Sequence, residues 1–186
     1  MSEHPEMIAP LAAAGGFSHV GVGGPKRCLG PLSSVPANPA ARWWAFLHLC
    51  GADVFRASRA MKMDEKMCRT LIVYESLFAY APPRSMLELK SRLGRLPKFD
   101  FNAAAQALSV FAPGWKDAAV LYQKLCESGE PYRISQLAVT AQELTAAGVP
   151  ARKMKGVLSQ LLSAVQRTPA LNTPAALLAL ARTLSA

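Results

Sequence analysis

Acidic side chains are scarce in this chain, with 12 Asp and Glu in 186 residues. They are also scattered. No Asp-x-Asp pair exists to hold two metal ions for phosphoryl or nucleotidyl transfer. A Gly-x-x-x-x-Gly-Lys loop and a His-x-x-x-His metal spacing are both missing. The three histidines, His4, His19 and His48, lack a neighbouring serine or cysteine nucleophile with an orienting acid. Cys28, Cys50, Cys68 and Cys126 lie far apart, with no CxxC pair and no Cys/His cluster at zinc-ligand spacing. These absences predict no catalytic residue, no metal site and no cofactor in this chain. No uninterrupted apolar run reaches membrane-spanning length, and the start, Met1-Ser2-Glu3-His4-Pro5-Glu6, lacks the basic segment of a signal peptide. The expectation is a soluble cytoplasmic protein with reduced thiols and no membrane partner.

What the chain has in quantity is alanine, leucine and positive charge. Hydrophobic residues make up 51% of it, enough to build a core and to argue against intrinsic disorder. β-Branched residues are few, which favours helix over strand. Lys and Arg outnumber Asp and Glu by 21 to 12, a net charge of +9 that draws the protein toward polyanions. The last part of the chain is the most one-sided. From Arg152 onward it has Arg152, Lys153, Lys155, Arg167 and Arg182 and no acidic residue.

Apolar spacing is helical almost throughout, so the predicted fold class is all-α. A short helix over about residues 5–14 is followed by a Gly/Pro-rich loop including Gly21-Val22-Gly23-Gly24, together the N-terminal segment 1–37. A helical body subdomain is expected over 38–128. Asn38-Pro39 opens its first helix, whose apolar face is read as Trp43, Phe46, Leu47 and Cys50, with Gly51 as its stop. Helices are also predicted over about 53–61, from Asp64 to about Tyr80, near 85–93, and as a pair split by Pro113-Gly114. A small helical tail subdomain is expected over 129–186. Within it Thr140-Ala141-Gln142-Glu143 is a capping box, and Met154, Val157, Leu158, Leu161, Leu162 and Val165 form the clearest apolar stripe.

Two groups of cations are candidate contacts for nucleic acid. Arg56, Arg59 and Lys62 recur at threefold spacing, a pattern that suits a phosphate backbone and equally a solvated helix face. Arg152, Lys153 and Lys155 fall in the first turn expected after Pro150. A helix N-terminus favours anions, so three cations there are out of place unless a phosphate joins the free amides. The tight Gly148-Val149-Pro150 connection between two helices has the form of a helix–hairpin–helix.

The stretch Gly129-Glu130-Pro131-Tyr132-Arg133-Ile134-Ser135-Gln136-Leu137-Ala138-Val139 continues through Glu143-Leu144 and Gly148-Val149-Pro150. Val157-Leu158, Leu161-Leu162, Val165, Pro169, Asn172 and Leu177-Leu178 come after it. In order and spacing this is similar to the end of bacterial class II tRNA nucleotidyltransferases, the CCA-adding enzymes. Ala41-Arg42-Trp43-Trp44-Ala45 resembles the opening of their body domain, Leu96-Pro97 also fits, and His4-Pro5-Glu6 looks like the region after their neck. The resemblance implies an all-helical body and tail that hold the tRNA acceptor stem and elbow for CCA addition at the 3′ end. The catalytic head and the nucleotide-reading neck of that family have no counterpart here, so the resemblance implies either a separately encoded head as a partner or a chain that is a fragment of a larger protein. Ala141 and Ala151 stand where the family pattern has glycine. Two other readings stay open: a non-catalytic helical protein-interaction domain, and a helix–hairpin–helix module for DNA.

Overall fold

The structure, a computed structural model, describes residues 30–185. Among these the fold is all-α: nine α-helices joined by turns and four short 3-10 segments, with no strand. The short helix expected over 5–14, the glycine-rich loop after it, His4, His19 and Cys28 lie outside the described residues.

The chain divides into two units, and the division is interleaved. The first unit comprises the described residues to Pro83 together with Lys98–Val120. The second comprises Arg84–Pro97 together with the residues from Leu121 onward. The expected order, a body over 38–128 and then a tail over 129–186, therefore does not describe how the chain is built. Residues 84–97 fold with the C-terminal segment.

In the first unit, α1 (Pro39–Leu49) starts where Asn38 Oδ1 accepts the Ala41 amide at 3.1 Å. It closes at Gly51, whose φ of +62° is the left-handed turn that glycine adopts at little cost. Asp53, Asp64 and Asp100 cap α2 (Val54–Ala60), α3 (Glu65–Phe78) and α5 (Phe101–Ser109) in the same manner. The buried arc of α1 is Ala41, Trp44, Ala45, Phe46 and Leu47, wider than one stripe because α1 packs against both α3 and α5. Of the two tryptophans on α1, Trp44 is buried, while Trp43 and also Cys50 are half-buried, contrary to the face read from spacing. The N–H of a buried tryptophan usually finds an acceptor. Trp44 Nε1 donates to Glu75 Oε2 at 2.8 Å. His48 stacks on Trp44 and meets Phe78 and Phe111 edge-on, so it is a packing residue.

The second unit begins with α4 (Met86–Arg95). Ser85 Oγ accepts the Glu88 amide, and Glu88 accepts the Arg84 amide in return. That amide holds the Glu88 carboxyl below its usual range. Gly94, which reads in sequence as part of a loop, lies inside α4. A Cβ there would sit 2.6 Å from the Tyr132 carbonyl oxygen, so glycine is required by close approach. Lys90 is buried on this helix. Its Nζ pairs with Glu130 and donates to the Gln166 carbonyl, and Gln166 Nε2 donates back to the carbonyls of Lys90 and Tyr132. This clasp is the physical reason that residues 84–97 belong with the C-terminal segment.

Helix α6 (Trp115–Ser128) runs from residues of the first unit into residues of the second. Beyond it come α7 (Ala141–Ala146), α8 (Met154–Arg167) and α9 (Pro174–Ser185). Their shared core includes Leu137, Leu144, Val157, Leu161, Val165 and Leu177. Both Leu161 and Leu162 of the apolar stripe are buried. The capping box at α7 forms in full, with Glu143 accepting the Thr140 amide and Thr140 Oγ1 accepting the Glu143 amide.

Candidate nucleic-acid interface

The tight connection between α7 and α8 forms as its sequence implies. Gly148 takes a φ of +95°, and the Val149 amide donates back to the Leu144 carbonyl at 3.0 Å. The segment after Pro150 differs from the expectation. Residues Ala151–Lys153 form a 3-10 turn, and α8 starts only at Met154. Arg152 and Lys153 therefore precede the helix, and Lys155 alone of the three lies in its first turn. The Lys153 amide donates to the Pro150 carbonyl and the Met154 amide to that of Ala151. Only the first two amides of the turn, at Ala151 and Arg152, lack an acceptor within it by geometry.

Side chains separate the three cations further. Lys153 Nζ donates to the Ser185 carbonyl at 2.8 Å. That carbonyl ends α9, the negative pole of its dipole, so the charge on Lys153 has a local explanation. Arg152 and Lys155 are exposed and pair with no carboxylate among the described residues. No acidic residue comes after Glu143 in the whole sequence, so Arg152, Lys155, Arg167 and Arg182 have no neutralising neighbour downstream.

The second predicted group is not one helical stripe. Helix α2 ends at Ala60, and Lys62 lies beyond its cap with φ +53°. The Met63 amide reaches the Ser58 carbonyl and the Lys62 amide that of Arg59, a turn in which glycine is the common occupant. Arg56 makes a loose 3.6 Å contact with Asp53, and Arg59 pairs with Glu65 at 3.1 Å. Sequence spacing misses two features of this region. Phe55 is exposed on α2, and the Arg59 guanidinium lies over its ring, 5.6 Å from the centroid.

Among the described residues, no helix is long and apolar enough to cross a membrane, and no three His, Cys, Asp or Glu side chains are grouped to hold a metal ion. Cys50, Cys68 and Cys126 are free thiols, and burial pushes the Cys50 pKa up. No protein-family model, no curated protein and no solved structure matches the chain.

Proposed function

We propose that the chain is a non-catalytic RNA-holding module that binds tRNA through its sugar-phosphate backbone. One observation carries the reading. Arg152 and Lys155 are exposed without a carboxylate partner among the described residues, in a C-terminal segment that has no acidic residue after Glu143. Exposed cations release condensed counterions when they meet phosphates, and that supplies sequence-independent affinity. The resemblance of the C-terminal stretch to CCA-adding enzymes narrows the ligand to tRNA. On that resemblance the catalytic step belongs to a nucleotidyltransferase head, either separately encoded or part of a larger protein, and these residues contribute positioning.

The test is tRNA binding across a salt series. Removing one cation from a phosphate should lower the log–log salt slope by about 0.7–0.9. The double variant Arg152→Gln/Lys155→Gln is expected to weaken binding and flatten the slope by about 1.5, with thermal stability unchanged. Lys153→Gln is a poorer probe, because it also breaks the bond to Ser185. Unchanged affinity and slope in the double variant would show that these cations only face water.

A further inference from the structure

Phe55 keeps 52% of its surface in solvent, whereas Val54 and Ala57 on the same helix are buried. No other large hydrophobic residue of α2 is exposed. Its surroundings are cationic. Between Asp53 and Arg69, five basic residues (Arg56, Arg59, Lys62, Lys66, Arg69) stand against three carboxylates (Asp53, Asp64, Glu65), an excess of two positive charges. All three carboxylates are occupied. Asp53 and Asp64 cap helices, and Glu65 accepts from both Arg59 and Arg69. Arg59 pairs with Glu65 while its guanidinium lies over the Phe55 ring.

An exposed aromatic ring braced by a guanidinium and set among excess cations suits an unpaired nucleobase. The π-face of the ring stacks with any base, and the cations meet the flanking phosphates. We propose that Phe55 is a stacking platform for a single-stranded RNA base, with Arg56 and Lys62 on the adjoining phosphates. This rests on the RNA-binding reading above and adds a ligand feature to it: the RNA must present an unstacked base, as a loop or a free end does and a blunt duplex does not. Lys62 is exposed in the turn that closes α2.

Binding of the full chain to three labelled probes tests the proposal: a tRNA transcript, a short oligouridine and a blunt RNA duplex. Phe55→Ala is expected to weaken tRNA and oligouridine about ten-fold or more, to leave the duplex unaffected, and to leave every salt slope unchanged. Phe55→Trp is expected to restore or exceed wild-type affinity. The proposal is overturned if Phe55→Ala binds all three probes as wild type does, or weakens on all three equally. Arg152→Gln/Lys155→Gln serves as the contrast, since it acts on the slope. A platform failure with that contrast intact leaves the tRNA reading standing, while a wild-type chain that binds none of the probes removes both.

Discussion

The Lys90–Glu130 pair separates what a buried charge contributes from what its removal costs. Lys90 is enclosed, whereas Glu130 retains about a third of its side chain in solvent, 32%. Removing Glu130 strands an ammonium in the interior with only the Gln166 carbonyl to accept from it. Removing Lys90 leaves a carboxylate that can turn to water. Glu130→Ala should therefore destabilise the protein by about 3 kcal/mol, and Lys90→Met by no more than about 1 kcal/mol. Urea unfolding of the two variants checks the order, and a reversed order would place the buried charge on the wrong partner. None of this is legible in the sequence, where Lys90 is one lysine among many and Gln166 one of several polar residues beside the α8 stripe. Burial of a polar group depends on partners that lie 76 residues away along the chain, beyond any local pattern. The role of His48 is legible. No nucleophile or acid accompanies it in sequence, and in the fold three aromatic rings surround it.

At the scale of the element, helix ends read well and helix interiors less so. Asn38, Asp53, Asp64, Ser85 and Thr140 each cap a helix at a start legible in the sequence, because short polar side chains compete locally for orphan amides. Gly94 is misleading for a physical reason: a glycine near a proline reads as a stop, and nothing nearby in sequence reveals that the Tyr132 backbone approaches it. In an exposed helix interior Gly→Ala usually adds about 0.5–1 kcal/mol of stability. Here Gly94→Ala should have the opposite sign and cost about 1–3 kcal/mol, since the added methyl meets a backbone oxygen that has little room to yield. A thermal melt decides between the two signs. The start of α8 is equally hard to place from sequence. Proline and the three cations after it suggest a first helical turn, while Ala151–Lys153 wind as a 3-10 turn and Lys153 reaches the end of α9.

For the whole molecule, the all-α class is legible, because periodicity accumulates over many residues. The interleaving of the two units is not, because proline and glycine mark where the chain turns and not which segments pack together. Hydrogen exchange should reveal the arrangement directly. Amides of α4 are expected to share their protection with α8, while those of α5, later in the chain, exchange with α1 and α3. Mass spectrometry of peptides at rising denaturant would show this grouping, and α4 exchanging together with α5 would contradict it. The interleaving also sets a schedule for biosynthesis. Lys90 is synthesised 76 residues before Gln166, which at about 5–20 residues per second is an interval of about 4–15 s. Through that interval α4 lacks the surface that will enclose it, while the first unit can already complete itself once Val120 has emerged from the ribosome. The nascent chain thus carries an unfinished second unit whose closure waits for α8 and its Gln166.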